Sequence, residues 1–163
     1  MLIREETAQD LPGIRALDYA TDIVDKLRSD RLHIVSLVAV NGDEVIGHIL
    51  FSQLPVEIDG RAIRAASLAP VVVKADLRGK GIGSKLVTQG LDILRQKQLE
   101  AVIVLGHTWF YPRFGFSADL TRHLASPFRG NPSFMGLELR PGALAGEKGS
   151  VTYPAAFGLG ESK

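Results

Sequence analysis

The sequence predicts an α/β (α+β) fold in which a mixed, mostly antiparallel sheet of about six or seven strands is flanked by helices. An Asn41-Gly42 turn between two apolar runs predicts an antiparallel hairpin, because Asn-Gly tolerates the positive φ angles of tight turns. Between residues 63 and 106, a strand, a glycine-rich turn, an amphipathic helix and an apolar strand predict a parallel, right-handed crossover. We expect a single domain over residues 1–163, with its core in 1–118 and less regular strands and tail in 119–163.

The composition excludes several classes of protein. Hydrophobic residues make up 45% of the 163 residues and charged residues 23%, and no apolar run reaches the roughly 18 residues of a membrane span. The chain has no cysteine, which excludes disulfides, thiolate metal sites and a cysteine nucleophile. A net charge of +1 without a dense basic run argues against a nucleic-acid partner. Glu5 and Glu6 stand where a signal peptide would be apolar, so we expect a cytoplasmic protein.

The other element boundaries follow from hydrophobic periodicity and from turn residues. Thr7 or Asp10 is expected to cap the first helix. The predicted elements are a strand at 2–6, a helix from 11 to about Tyr19, a helix at 22–28, strands at 34–40 and 45–52, a turn at 57–61, a central strand from 63, a helix at 81–97, and strands at 101–106 and 133–139. Pro70 inside the central strand indicates a bulge or one-sided pairing, because proline donates no N–H to a ladder.

Residues 68–86 predict an anion-binding turn. Gly79, Gly81 and Gly83 alternate between the central strand and the start of a helix, where main-chain N–H groups lack helical partners and the helix dipole is positive. Three cations stand on or beside this turn: Arg78, Lys80 and Lys85. The pattern therefore indicates a strongly anionic ligand.

Two familiar phosphate motifs do not fit this turn. A P-loop has four residues between its two glycines, so starting from Gly79 it would need a glycine at Ser84, and a dinucleotide fingerprint would need its third glycine at Ser84 or Leu86. The pattern that remains is Arg-x-x-Gly-x-Gly, and it resembles the acetyl-CoA pyrophosphate motif of the GNAT superfamily of N-acetyltransferases. The resemblance implies that the pyrophosphate is held by Arg78, Gly79, Lys80, Gly81, Ile82, Gly83 and Ser84.

A second motif strengthens the resemblance. Tyr111 precedes Gly115-Phe116 by four residues, as in the superfamily's Tyr-x-x-x-Gly-Phe, although a longer helix with an Asn is often found before that tyrosine and is missing here. The resemblance implies acetyl-CoA as co-substrate and a central strand that parts from its neighbour at a V-shaped splay. It also implies that the main chains of Val71, Val72 and Val73 bind pantetheine, with an N–H near Val71 facing the thioester oxygen.

Acetyl transfer needs a proton donor for the thiolate and a route for the amine proton. Tyr111 is the candidate general acid, since a phenol stays protonated at neutral pH; the alternative is an aromatic packing residue. The central strand before Pro70 carries no carboxylate, so His107, acting through water, is the candidate base; its alternative is a turn residue bonded to the backbone. The direction of His48 on its strand is undecided. No histidine pair has metal-ligand spacing, so no metal is expected.

The predicted function is transfer of acetyl from acetyl-CoA to an amine, carried by a small molecule or a peptide. A homodimer is an expected assembly, and neither nucleic acid nor membrane is an expected partner. The alternative is a non-catalytic acyl-CoA-binding sensor, which would keep the glycine turn without a working acid and base. Residues 141–157 resemble the ending of a branch of small bacterial acetyltransferases.

Overall fold

The computed structural model describes residues 1–17 and 21–159. Its α-helices are α1 (Leu11–Ala16), α2 (Thr21–Ser29) and α3 (Ile82–Gln96). Its strands are β1 (Leu2–Glu5), β2 (His33–Asn41), β3 (Glu44–Ile58), β4 (Arg61–Val73), β5 (Ala101–Leu105), β6 (Leu124–Ala125), β7 (Phe134–Glu138) and β8 (Gly149–Val151). Short 3₁₀ helices cover Ala8–Asp10, Ala75–Leu77, Tyr111–Phe114, Ala118–Thr121 and Ala155–Phe157. None of the helices in these ranges is long and apolar enough to cross a bilayer.

The described strands form one sheet of eight, in the order β1-β2-β3-β4-β5-β7, with β8 pairing to β3 and β6. The pairs β1–β2, β2–β3, β3–β8 and β5–β7 are antiparallel, whereas β4–β5 and β6–β8 are parallel. The mixed, mostly antiparallel sheet with flanking helices is confirmed. The strand number was underestimated, because β6 and β8 have only two and three residues and leave no periodic pattern in the sequence.

Both predicted turns form as expected. Gly42 has φ +63° in the turn that joins β2 to β3, and Asp59 and Gly60 have φ +51° and +81° in the turn that joins β3 to β4. The strand predicted to end at Ser52 instead continues as β3 to Ile58. In that extension buried and exposed residues alternate, as expected for a strand with one face in the core.

The described residues divide into two compact units, and the first comprises Met1–Ser52 and Ala69–Leu94. Helix α3 packs tightly on β3 there: a Cβ added at Gly90 would lie 2.2 Å from Cε2 of the fully buried Phe51. At the N-terminus, Thr7 caps the 3₁₀ helix while its own N–H donates to Asp10 at 2.7 Å. The helix α1 follows directly. The sequence predicted that this helix would extend to about Tyr19, a position that lies outside the described residues.

The second unit comprises Gln53–Leu68 and Arg95–Lys163. The parallel pairing of β4 and β5 that the crossover predicted is confirmed at Ala65–Ala101, Ala66–Val102 and Ser67–Ile103. An apolar cluster forms the core of this unit, and it includes Leu54, Val56, Ile58, Ile103, Leu124, Phe134, Leu144 and Val151. The C-terminal segment beyond residue 118 thus supplies several side chains to this core.

Candidate active site

The glycine turn lies between the end of β4 and the start of α3. Gly79 and Gly81 have φ +80° and +82°, which side chains with a Cβ rarely adopt. A Cβ added at either glycine would meet nothing within 4 Å, so backbone angle rather than crowding selects glycine there. The turn therefore presents an open main-chain surface.

The first turn of α3 adds unpaired donors to that surface. The first N–H to bond within the helix is that of Lys85, which donates to the carbonyl of Gly81 at 3.1 Å. The N–H groups of Ile82, Gly83 and Ser84 precede it and belong to the positive end of the helix dipole. These residues were predicted to bind pyrophosphate, and the fold brings them together in one turn.

Arg78 links the turn to the end of the central strand. Its Nε donates to the carbonyl of Val73 at 3.2 Å, while the side chain stays exposed. Lys80 and Lys85 are also exposed. The two Nη groups of Arg78 make no hydrogen bond to any residue that the structure describes, so they can bind an anion beside the turn.

Val71, Val72 and Val73 form the last three residues of β4. The β4–β5 ladder ends at the pair Ser67–Ile103, whereas β4 continues through the buried Pro70 to Val73. The Ala69–Pro70 peptide bond is cis. The side chain of Val72 is buried and those of Val71 and Val73 are half-buried, so the valines pack as predicted.

Tyr111 lies in the second unit and begins the 3₁₀ helix that follows β5. Its ring packs on the backbone at Gly106, where an added Cβ would come within 2.3 Å of Cε2. Gly115, with φ +98°, ends this short helix and directs Phe116 back to the tyrosine, at 5.7 Å between ring centroids. The Tyr-x-x-x-Gly-Phe motif is thus a folded unit, and Tyr111 is only 6% exposed.

His107 is exposed immediately after β5. Its carbonyl accepts hydrogen bonds from the N–H groups of Phe110 at 3.1 Å and Tyr111 at 3.2 Å, as a turn residue would. Its imidazole stacks on the exposed Trp109 at 5.1 Å between centroids. The main chain of His107 therefore has the role of a turn residue, which was the alternative to a catalytic base. Its imidazole ring is still exposed to solvent and could contact a ligand.

A buried polar cluster in the first unit was not predicted. His48 is 1% exposed, and its Nε2 lies 2.8 Å from Oγ of Ser36 and 3.7 Å from Oε1 of Glu6. Glu6 also accepts a hydrogen bond from the Ser36 hydroxyl and a two-bond fork from Arg28. The undecided direction of His48 is therefore inward, toward Glu6 and Ser36.

Two opposing effects act on the Glu6 carboxyl. Burial raises its pKa, but the hydrogen bonds from His48, Arg28 and Ser36 together outweigh burial and lower the pKa to about 2. Glu6 is therefore a carboxylate at neutral pH. The cluster joins the residue that follows β1 to α2, β2 and β3, and the one sequence signal for it is a pair of polar residues inside the apolar runs of β2 and β3.

Comparison with known proteins assigns the family. Residues 3–116 match the model of the acetyltransferase (GNAT) family, and the chain belongs to this family. Over 166 aligned residues it is 36% identical to the uncharacterized N-acetyltransferase YhbS of Escherichia coli strain K12, an alignment that covers 96% of this chain and 98% of that protein. The resemblance inferred from the two sequence motifs is confirmed.

Two solved structures are similar over nearly the whole chain. One is the GNAT family N-acetyltransferase YhbS from Escherichia coli in complex with CoA, with TM-score 0.85, 36% identity, and coverage of 96% of this chain and 91% of that one. The other is a GNAT family acetyltransferase from Brucella melitensis in complex with acetyl-CoA, with TM-score 0.77, 34% identity, and coverage of 96% and 97%. Among the residues described for the present chain, no group of three potential ligands is placed to hold a metal ion.

The buried cluster generates a prediction about acid stability. Replacing Glu6 by Gln leaves the Arg28 guanidinium without its counter-charge, so the free energy of unfolding at pH 7 should fall by on the order of 3 kcal/mol. Because the folded pKa is depressed, the carboxylate's contribution is complete above its ordinary pKa of 4.5 and disappears as the pH falls through about 2. Urea unfolding should therefore show a difference in unfolding free energy between parent and variant that becomes smaller below pH 4.5. Glu5→Gln, at the exposed neighbouring position, is the control; a difference independent of pH would contradict this account.

Proposed function

We propose that this protein is an acetyl-CoA-dependent N-acetyltransferase that transfers acetyl directly to an amine. The observation that carries the proposal is the glycine turn before α3, in a chain of the acetyltransferase family. Two open positive-φ glycines, the first-turn N–H groups of α3 and the Arg78 guanidinium form a surface suited to pyrophosphate. CoA and acetyl-CoA in the two similar structures support the same cofactor for this chain.

Binding is assigned to the residues predicted from the sequence. The main chain from Gly79 to Ser84 and the side chain of Arg78 hold the pyrophosphate. The exposed Lys80 adds positive charge beside it. The main chains of Val71, Val72 and Val73 pair with the pantetheine amides, while their side chains contribute to packing.

The reaction requires no covalent enzyme intermediate. The amine lone pair attacks the thioester carbonyl, and the N–H near Val71 donates to the oxygen as negative charge develops. The C–S bond then breaks, the phenol of Tyr111 gives its proton to the departing thiolate, and His107 accepts the amine proton through a water molecule. The products are the amide and CoA thiol; Tyr111 then regains a proton from solvent, and His107 releases the amine proton to solvent.

The acceptor is an amine of a small molecule or a peptide. A cytoplasmic location, a homodimer and a single domain over residues 1–163 stay predictions from the sequence.

The burial of Tyr111 favours a second candidate function, because a tyrosine that only packs leaves the site without its acid. That candidate is an acyl-CoA-binding sensor, which holds the cofactor and does not turn it over.

A first prediction concerns cofactor binding. Gly81→Val should abolish CoA binding, because valine resists φ +82° and its side chain covers the main-chain surface. The matched control is Gly142→Val, since Gly142 has φ +81°, equally open surroundings and a position far along the chain. Calorimetric titration with CoA should give no binding for the first variant and parental affinity for the second. A folded Gly81→Val protein that binds CoA like the parent would refute the assignment of the turn.

A second prediction concerns the general acid. Tyr111→Phe keeps the ring contacts with Gly106 and Phe116 and removes only the hydroxyl. General acid catalysis contributes ~10²–10⁴-fold, so kcat should fall by that factor while CoA affinity changes little. Tyr153→Phe is the control, because Tyr153 is a partly buried tyrosine that packs on the core of the second unit and makes edge contacts with two phenylalanines. Steady-state kinetics and melting temperatures test both; a kcat within about threefold of the parent would return Tyr111 to a packing role.

A further inference from the structure

A second basic site lies in the second unit, outside the residues assigned to acetyl transfer. A surface cavity of about 480 Å³ is lined by three arginines, one glutamate and two leucines: Arg64, Arg95, Arg140, Glu100, Leu99 and Leu139. Arg95 belongs to the last turn of α3, whereas the glycine turn precedes the first turn of that helix. The cavity volume falls within the roughly 300–1,000 Å³ range of small-molecule sites.

Hydrogen bonds of Glu100 tie together three segments that line the cavity. The N–H of Glu100 donates to the carbonyl of Arg64 at 2.7 Å, and the Glu100 carboxylate accepts the N–H of Arg64 at 2.7 Å. The Glu100 carbonyl accepts from the N–H groups of Leu139 and Arg140 at 2.8 and 3.1 Å. Three segments distant in sequence thus meet at Glu100, which brings their side chains to one cavity.

Arg64 and Arg140 retain N–H donors after their hydrogen bonds within the described residues. Arg64 gives one of its five N–H groups, on Nη2, to the carbonyl of Lys97 at 3.3 Å. Arg140 gives its Nε and one Nη2 hydrogen to Glu100, at 3.1 and 2.7 Å. Three guanidinium groups and one carboxylate leave the lining with a charge of +2. The N–H of Arg64 and the Arg140 side chain lower the pKa of Glu100 despite its desolvation, so the carboxylate stays ionised.

Gln98, which also lines the cavity, occupies a backbone conformation that favours glycine. Its φ is +62°, and its N–H closes the end of α3 by donating to the carbonyl of Arg95 at 2.9 Å. Glycine is the usual residue at such a helix end because it lacks the Cβ that makes this φ unfavourable. A glutamine at this position carries a strained backbone and places an amide at the cavity.

We propose that this cavity binds a small organic phosphate, a phosphomonoester dianion. The unused N–H groups of Arg64 and Arg140, together with Arg95, bind the phosphate oxygens, since guanidinium forks match phosphate geometry. Leu99 and Leu139 contact the organic part of the ligand.

The test is a calorimetric titration with phenyl phosphate at constant ionic strength, because salt screens exposed charges. It is run on the full chain with and without saturating CoA, since the glycine turn is a competing phosphate site. We expect saturable binding that CoA leaves unchanged. Binding abolished by CoA, or no saturable binding at millimolar concentration, would overturn the proposal.

Variants separate binding from folding. Arg64→Gln should weaken phenyl phosphate about tenfold or more, because a charged hydrogen-bonding partner is lost. The control is Arg129→Gln, since Arg129 is also exposed and also donates one bond to a main-chain carbonyl, that of Arg122 at 3.2 Å. Gln98→Gly should raise the melting temperature by relieving the backbone and yet weaken binding by removing the amide. Equal affinities for the Arg64 and Arg129 variants would overturn the site.

Discussion

An α-helix begins with main-chain N–H groups that have no partner within the helix, and in this protein that constraint falls at Ile82, Gly83 and Ser84. The contact between Phe51 and Gly90 holds α3 closely on β3, so the start of the helix has a fixed place after β4. The glycines before it adopt angles that keep the main chain bare. The anion-binding surface is therefore a consequence of how one strand leads into one helix, and the charged side chains only reinforce it.

Glycines also determine the local structure around Tyr111. Gly106 admits the tyrosine ring against the backbone, Gly115 closes the 3₁₀ helix with a left-handed residue, and Phe116 packs on the ring edge. Each residue of the motif has a folding role that explains its type. Packing does not by itself give the Tyr111 hydroxyl a catalytic role. The ring contacts do hold the phenol in a defined position, which general acid catalysis needs.

Local patterns predicted most of the fold. Two turns and one long helix depend on residues close together in sequence. They are the turns at Asn41-Gly42 and Asp59-Gly60 and the helix predicted at 81–97, which the structure has at Ile82–Gln96. The direction of His48 could not be predicted, because β3 is buried on both faces over that stretch and β2–β3 pairing contains register shifts. The Glu6–His48 cluster and the arginine cavity depend on long-range packing, so neither leaves a motif in the sequence.

The central claim is that the cofactor is turned over and not merely held. The most direct measurement is release of CoA thiol from acetyl-CoA over a panel of amines, aminoglycosides, amino acids and peptides, with mass spectrometry of each acceptor. The account predicts amine-dependent thiol release with one N-acetyl group formed per thiol, and none from the Gly81→Val protein. Tight binding of CoA without amine-dependent thiol release from any member of the panel would contradict the account and favour the sensor.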